Sequence, residues 1–472
     1  MDALFTDFAT AQNHSQGYLL ASTISPTPPP HDPSRLHAFL SSTNTYSLET
    51  DLRYKLQYNP DISPKLQPEE VSAWSEVFKA FYKFVGVLLP AEESEGTGDW
   101  SAVYESWKEV VRVLLRGYTG NVFDAWTIPC LYTAAKFLKV FAIKADESSA
   151  SQRDSGVLVP GSEALGQEED AFGNGGKNEK LENAAAEINK LFSACLTDRS
   201  PLADSRKWAL YPLTNTLFAL YFRLHSHSLC HHILRTLATY TARNDLPPLN
   251  LFPKAHQITF LYYTGVLRFL DEDYVAAETN LEEAWRMCPR ESEGGRNMEM
   301  ILSYLIPTKL ITKHVLPSKG LLAGYPRLAD LYTPLCAVLR RADLRALDAA
   351  LAEGEAVFIH KRVYLTLERS RDIAIRNLFR RVFLAGGFES GKEGLAPVRR
   401  TRVPLEEFGV ALRMMGGDVA TGDEDGEGGI DGEEVECLIA NLIYKNLMKG
   451  YIAREHGKVV LAKNGAFPGT GV

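Results

Sequence analysis

The chain contains 472 residues, of which 45% are hydrophobic and 23% are charged, and its formal net charge is −8. This composition is close to the average of folded globular proteins, and it excludes a disordered chain, a disulfide-stapled mini-protein and a single small domain. The six cysteines are scattered without a CxxC pair, which disfavours a disulfide framework or a zinc ribbon and favours a reducing compartment. The first residues lack a basic segment followed by an apolar run, so we expect neither secretion nor membrane insertion.

The N-terminal region, residues 1–145, is predicted to be helical. A proline-rich break at 25–33 separates a first helix from the rest of the region. Apolar residues then recur at helical spacing over 71–88 and again over 100–115, as expected for the buried faces of two amphipathic helices. Proline and acidic residues at 68–70 favour a helix start there, because they suit the free N–H groups and the dipole of a first turn.

The middle of the chain is predicted to be a flexible linker followed by helical repeats. Residues 146–178 are rich in serine, glycine and acidic residues and have no sustained period, which is typical of a linker or disordered insert. From 179 to 354 nearly every window is helical, and the segment 261–289 matches the tetratricopeptide (TPR) pattern. The matching positions are Gly265, Ala277, Leu281, Ala284 and Pro289. We therefore predict an irregular TPR-like helical solenoid, a surface that usually binds protein.

The C-terminal region, residues 355–468, has a different pattern. Two helices, a loop at 416–429 and a third helix are followed by two short predicted strands, Tyr451-Ile452 and Val459 to Leu461, which turn at His456-Gly457. Three helices followed by a β-hairpin is the order of a winged helix. The predicted fold is therefore mainly α, a solenoid followed by a C-terminal winged helix. The third helix and the β-hairpin, which is called the wing, usually face nucleic acid, although the same module also mediates protein contacts.

The negative net charge conceals a basic segment. From Lys361 to Arg402 there are eleven Lys or Arg residues against four Asp or Glu, a local charge of +7, which leaves −15 for the rest of the chain. Basic residues of this segment and of the wing could converge on one phosphate-contacting face. The alternative is a set of solvated charges or intramolecular ion pairs, especially on the helix that must also bury Phe379. The candidate nucleic-acid-binding residues are Arg380, Arg381, Arg399, Arg400, Arg402, Lys445, Lys449, Arg454, Lys458 and Lys463.

A histidine- and cysteine-containing stretch at 225–232 offers the residue types that bind zinc. The metal-isopeptidase pattern would require Ser and Asp downstream, where Arg235 and Ala238 stand instead. A turn between two solenoid helices explains the stretch better, and a metal-dependent enzyme is kept only as a rival hypothesis.

Two further motifs also lack required features. The segment 423–434 has the ligand spacing of a calcium loop, but no helix enters it, and Asp431 suits the cap of a helix that begins near Glu433. The segment 171–178 lacks both the first glycine and the hydroxyl of a phosphate loop. We therefore expect no catalytic site, metal or cofactor.

A solenoid that runs directly into a winged helix resembles the PCI family, the scaffold subunits of the proteasome lid, the signalosome and a translation initiation factor. The resemblance is carried by RNMEMILSYLIPTKLI, EAVFIHKRVYLTLERSRDIAIRNLFRRVFL and IDGEEVECLIANLIYKNLMKGYIAREHGKVVLAKNGAFP. It looks closest to a branch that contains mRNA-export and signalosome-type subunits. It covers about 200–468, and the N-terminal third matches only in helical character.

The resemblance implies a non-enzymatic subunit that pairs with a second, larger PCI-domain protein and a small acidic subunit of the proteasome-lid type. It also implies a complex of the nucleus, with the cytoplasm as an additional location, that binds RNA or DNA in mRNA export or transcription-coupled mRNA processing. Scaffold winged helices of this kind pair through edge strands, so Val459, Val460 and Leu461 are the candidate partner-binding residues. The alternative is a structural subunit of a signalosome or proteasome-lid complex with no nucleic-acid role.

Overall fold

The computed structural model describes residues 2–94, 98–154, 178–289, 295–389, 398–415 and 431–470. The chain divides into two compact units, Met1–Tyr263 and Thr264–Val472. Helices dominate both units, and the strands found among the described residues all lie in the second unit. The predicted mainly α fold is confirmed.

The first unit consists of helices joined by short connections. Ten α-helices lie within its described part, and α11 crosses the boundary between the units. They are α1 (Asp2–Asn13), α2 (Gly17–Thr23), α3 (Arg35–Ser41), α4 (Leu48–Gln57), α5 (Pro68–Glu93), α6 (Trp100–Thr119), α7 (Pro129–Asp154), α8 (Glu179–Leu196), α9 (Leu210–Arg223), α10 (His227–Ala242) and α11 (Lys254–Leu270).

Helices α5, α6 and α7 form the aromatic core of the first unit. Trp107 of α6 is fully buried, its ring lies 4.7 Å from that of Phe84, and its Nε1 donates a hydrogen bond to the carbonyl of Ala134 at 3.0 Å. A buried indole needs such an acceptor for its N–H. The predicted start of α5 is confirmed by a capping box, in which Gln67 and Glu70 exchange hydrogen bonds between side chain and backbone.

Helix α7 extends beyond the predicted start of the linker at residue 146. The carboxylate of Asp146 accepts hydrogen bonds from the backbone N–H groups of Lys180 (3.2 Å) and Leu181 (3.0 Å), which satisfies two donors in the first turn of α8. The first residues of the predicted linker are therefore helical. Residues 155–177 lie outside the described residues, and the bounds of the four predicted regions stay predictions.

The second unit continues with helices α12 to α21. Its helices are α12 (Tyr274–Met287), α13 (Arg296–Lys313), α14 (Lys319–Ala323), α15 (Pro326–Arg341), α16 (Leu344–Glu353), α17 (Glu355–His360), α18 (Tyr364–Glu368), α19 (Arg371–Ala385), α20 (Leu405–Met414) and α21 (Gly432–Tyr444). Its strands are β1 (Phe388–Glu389), β2 (Val398–Arg399), β3 (Arg402–Pro404), β4 (Gly450–Ala453) and β5 (Lys458–Leu461).

The predicted TPR-like helix pair is present as α11 and α12. A Cβ atom on Gly265 would lie 2.7 Å from Cγ of Leu281, a distance that real Cβ contacts essentially never show. Ala277, Leu281 and Ala284 are fully buried, and α12 ends two residues before Pro289. Close approach of the two helices therefore depends on a glycine in one helix and small residues in the other, as the sequence pattern predicts.

The winged helix is formed by α19, α20 and α21 with a three-stranded sheet. Asp431 caps α21 as predicted, its carboxylate accepting from the N–H of Gly432 at 2.6 Å. The predicted hairpin is also confirmed as β4 and β5, which pair antiparallel with Tyr451 opposite Val460. A third strand, β3, pairs with the other edge of β5, so the order in the sheet is β3-β5-β4.

This order corrects the reason given above for partner binding by Val459, Val460 and Leu461. The central strand β5 has both edges occupied, so it cannot accept a partner strand without losing β3 or β4. Val459 is fully buried and Leu461 is 3% exposed, so both pack into the core of their own unit. Only Val460 has a partly accessible side chain, and contact of these residues with a partner stays a prediction.

Candidate nucleic-acid interface

The register of the sheet places two predicted cations on one face of the wing. Arg402 of β3, Val460 of β5 and Tyr451 of β4 are directly paired, so their side chains share a face. Lys458 lies two residues from Val460 and therefore points to the same side. Arg402, Tyr451 and Lys458 are exposed, whereas Val403 and Val459 on the opposite face are buried. We name Arg402, Tyr451, Lys458 and Val460 the outer wing face.

Two further lysines flank the wing at the end remote from its turn. Lys449 immediately precedes β4, and its carbonyl accepts a hydrogen bond from the N–H of Ala462 at 2.9 Å, just after β5. Lys463 follows directly, so this backbone contact brings Lys449 and Lys463 to the same end of the hairpin. Within the described ranges no carboxylate forms an ion pair with Lys449, Lys463 or the two cations of the outer wing face. Among the described residues, therefore, these four positive charges have no ion pair that compensates them.

Three other predicted binding residues form intramolecular ion pairs. These pairs reduce the charge that each cation offers to a ligand, although exposed pairs contribute little to stability. They are Arg400 with Glu407 (3.0 Å), Lys445 with Asp372 (2.5 Å), and Arg454 with Glu433 (3.2 Å) and Glu436 (3.4 Å).

The arginines of α19 contact the protein itself. Arg380 donates to the carbonyl of Thr470 at 3.4 Å, and Arg381 donates to the carbonyl of Arg340 at 2.8 Å. Arg376 is almost fully buried, and burial together with the charge of Arg380 lowers the pKa of its guanidinium. The basic character of this helix in the sequence therefore does not produce an equally basic surface.

Arg399 lies between two aromatic rings. Its guanidinium is 4.8 Å from the ring centre of Phe388, with which it is paired across β1 and β2, and 5.5 Å from that of Phe383. The atom Nη1 is buried and has no hydrogen-bond partner among the described residues. Such cation–π contacts hold the planar guanidinium in one orientation.

Exposed aromatic residues of the winged helix were absent from the predicted site. Tyr451 is 63% exposed on the outer wing face, and Phe388 is 60% exposed beside Arg399. Aromatic side chains beside cations are a frequent feature of surfaces that bind single-stranded nucleic acid. The sequence signal for β3 is the change from a charged to an apolar residue in Arg402-Val403-Pro404. Three residues are too few to identify a strand.

The stretch at 225–232 forms a turn and the start of α10, in agreement with its interpretation as a solenoid turn. His225 has a positive φ of 57°, and the ring of His227 packs 5.0 Å from that of Phe222. Burial raises the pKa of Cys230 to about 12, which opposes the thiolate form that zinc requires. Over the described part of the chain, no group of three or more His, Cys, Asp or Glu residues is placed to hold a metal ion.

The other weak motifs lie mostly outside the described residues. This is true of 171–177 and of 423–430, while Asp431 acts as the helix cap. None of the helices searched in the described segments is both long and apolar enough to cross a membrane.

Comparison with known proteins extends these observations. The pattern of the PCI domain matches residues 349–463. The chain is 47% identical to the protein called CSN12 homolog of Gibberella zeae, and the two are matched over the full length of both. It is 34% identical to the CSN12 homolog of Schizosaccharomyces pombe over 78% of each chain. It is 29% identical to PCI domain-containing protein 2 of Xenopus laevis over 78% of this chain and 80% of that protein.

These matches confirm the predicted resemblance, and they agree with the helical repeats and the winged helix described above. The chain therefore belongs to the PCI-domain family, together with the CSN12 homologs and PCI domain-containing protein 2.

Proposed function

We propose that the protein is a non-enzymatic scaffold subunit of a nuclear complex, in which the outer wing face and the adjoining lysines bind RNA or DNA. The observation that carries the proposal is the set of four exposed cations without carboxylate partners in the described segments, namely Arg402, Lys449, Lys458 and Lys463. The segment 445–463, which spans the third-helix end and the wing, contains five Lys or Arg residues against one Glu. This local excess of positive charge supports phosphate contact despite the net charge of −8.

The binding is expected to be largely independent of base sequence. Lysine and arginine side chains on an exposed sheet face contact phosphates, which position a nucleic acid without reading its sequence. This property suits a subunit that acts on many transcripts, and we propose mRNA export or transcription-coupled mRNA processing as the process. The hetero-oligomer would include a second, larger PCI-domain protein and a small acidic subunit.

A second candidate function has support from the relatives. The fungal relatives carry the name CSN12 homolog, which fits a structural subunit of a signalosome-type complex at least as well. The three ion-paired cations of the winged helix also favour this alternative, because their charges are already partly compensated. In that case the winged helix would contact only protein.

Nucleic-acid binding by the purified full chain separates the two candidates. The test compares wild type with the triple variant Arg402→Gln, Lys449→Gln and Lys458→Gln in a salt titration of binding to a labelled single-stranded RNA. Each neutralised phosphate contributes about 0.7 to the slope of log affinity against log salt, so the variant slope is expected to flatten by about 2.

A matched control removes three cations of the second unit that are already ion-paired. The variant Arg286→Gln, Arg369→Gln and Arg371→Gln loses the same formal charge, but each of these arginines pairs with a carboxylate at 2.5–2.7 Å. It is expected to retain most of the wild-type slope. Equal slopes for wild type and both variants, or no binding by wild type alone and with its PCI partner, would favour the purely structural function.

A further inference from the structure

A cavity of about 540 Å³ adjoins the winged helix beside Arg399. Its lining includes Phe383 of α19 and Phe467, which are both buried and lie 5.8 Å apart between ring centres. The lining also includes Arg399, Lys463 and the rest of the segment 464–469. The cavity is therefore lined by both aromatic rings and cations.

The charged residues that line this cavity are both cations. Arg399 and Lys463 contribute to the lining, and no carboxylate is among the described lining residues. A third cation, Arg380, reaches the end of the same segment, where its Nη2 donates to the carbonyl of Thr470. Its Nε is buried and has no hydrogen-bond partner within the described segments. This charge distribution selects an anionic group.

Arg399 has an unused donor at this position. Its Nη1 atom is buried and has no hydrogen-bond partner in the part of the chain that the structure describes, and a buried polar group without a partner costs free energy. The rings of Phe383 and Phe388 on its flanks hold the guanidinium but offer it no acceptor oxygen. Arg399 also lines the cavity, so an anion with several oxygen atoms bound there would supply acceptors to its guanidinium, and a phosphate has the appropriate geometry.

The neighbouring Phe388 indicates which phosphate-containing molecule the cavity binds. Its side chain is 60% exposed, and one side of its ring lies against the Arg399 guanidinium, so a nucleobase has room to stack on the ring. Only an unpaired strand exposes its bases for such stacking. Arg402, on the outer wing face, follows Arg399 by three residues, so one strand could contact both.

We propose that this cavity binds a phosphate of an unpaired nucleic-acid strand through Arg399 and Lys463, with an adjoining base stacked on Phe388. The inference rests on the proposed function, because it specifies the form of nucleic acid that the wing binds. It assigns to the cavity a preference for single strands over duplexes.

The test measures binding of the full chain to a labelled single-stranded RNA of about 12 nucleotides and to the same RNA annealed to its complement. Phe388→Leu keeps an apolar side chain but removes the aromatic face, and we expect it to weaken single-strand binding about tenfold with little change for the duplex. Phe388→Tyr keeps the ring and is expected to bind as wild type. Arg399→Gln is expected to weaken single-strand binding about tenfold, and Arg399→Lys should restore only part of this loss.

Arg369 provides a matched control. Its guanidinium also lies on an aromatic ring, that of Tyr274 at 5.9 Å, but it pairs with Glu272 at 2.7 Å. Arg369→Gln is expected to leave both RNA affinities unchanged. Because Phe388 is exposed, its variants should fold normally, and circular dichroism spectra identical to that of wild type would verify this.

The outcomes separate this inference from the proposed function. If wild type binds RNA and the triple variant of Arg402, Lys449 and Lys458 binds it more weakly, but Phe388→Leu and Arg399→Gln bind as wild type, the cavity inference is overturned while the proposed function stands. An equal loss of single-strand and duplex affinity in Phe388→Leu would also overturn the stacking. Absence of RNA binding by wild type, both alone and with its PCI partner, would contradict the proposed function itself.

Discussion

Helix α19 and the wing are both rich in basic residues, but these residues differ in their burial and in their contacts. On α19, Arg376 is buried against Asn377, and Arg381 donates to a backbone carbonyl. On the wing, Lys458 and Arg402 lie on an exposed sheet face without carboxylate partners in the described segments. The density of positive charge along the sequence is therefore a poor guide to the charge that a ligand meets.

The difference arises from the geometry of the two elements. Helix α19 is surrounded by other elements of its unit, so its arginines reach backbone carbonyls at the ends of neighbouring segments. The three-stranded sheet packs through only one face, and alternate residues must point away from that core. The wing thus exposes cations because successive side chains of a strand point to opposite faces of the sheet. Variants of single residues can separate the face that packs in the core from the face that is exposed.

The largest expected effect distinguishes the two faces of β5. Val459→Asp places a carboxylate in the core of the winged helix, and we expect it to destabilise this module by about 4 kcal/mol. Val460→Asp, one residue away on the outer wing face, should cost less than about 1 kcal/mol. Amide hydrogen exchange of β3, β4 and β5 measures both changes locally.

Val460→Asp also has an expected effect on binding, because its carboxylate would stand between Arg402 and Tyr451. RNA affinity should fall although the fold is retained. Equal exchange protection in the two variants would contradict the division into a buried and an outer face.

A smaller effect on stability is expected when the buried Arg376 of α19 loses its partner, Asn377. The side-chain oxygen of Asn377 accepts from Nε and Nη2 of Arg376 at 3.3 and 3.0 Å, and its amide donates to the carbonyl of Leu339 at 3.0 Å. Asn377→Ala leaves these groups without their partner, so we expect a loss of about 1–3 kcal/mol in the free energy of unfolding, measured by urea denaturation. RNA affinity should not change.

Asn441→Ala on α21 is the corresponding control, since the described residues give its side chain no hydrogen bond; it should cost less than about 1 kcal/mol. A loss of RNA affinity in Asn377→Ala without a loss of stability would show that α19 belongs to the interface after all.

The smallest effect on RNA binding concerns Lys445 and Lys449, which lie at the two ends of the connection between α21 and β4. Lys445 pairs with Asp372 at 2.5 Å, whereas Lys449 has no carboxylate partner in the described part of the chain. Lys449→Gln is expected to reduce the salt slope of RNA binding by about 0.7, and Lys445→Gln by clearly less. Salt titrations of the two single variants test this, and a larger change for Lys445→Gln would reverse the interpretation of the ion pair.

Local sequence signals predicted much of the fold. The start of α5 at Pro68, the cap of α21 at Asp431 and the β4–β5 hairpin each depend on residues within one turn or one hairpin of each other. Gly265 and Leu281 similarly belong to adjacent helices of one repeat. The strand β3 was missed because its three residues become a strand only by pairing with β5, far away in the sequence.

The candidate site was less predictable for a related reason. Pairing of Lys445 with Asp372 joins residues 73 positions apart, so the sequence cannot show which cation is compensated. The cavity beside Arg399 likewise combines α19, β2 and the segment after β5. The residue types of the site were predicted from composition, whereas their availability depends on tertiary contacts.

The central position of β5 affects how the winged helix forms during synthesis. Arg402 and its partner Val460 are 58 residues apart, so β3 leaves the ribosome long before the strand that completes it. Until then its backbone donors and acceptors have only water as partners, and Pro404 removes one donor while the charge of Arg402 disfavours pairing with other chains. The pairing also closes a long chain loop, whose entropy rises only slowly with length. A change in the length of the connection between α20 and α21 would therefore alter the closure entropy of the sheet only slightly.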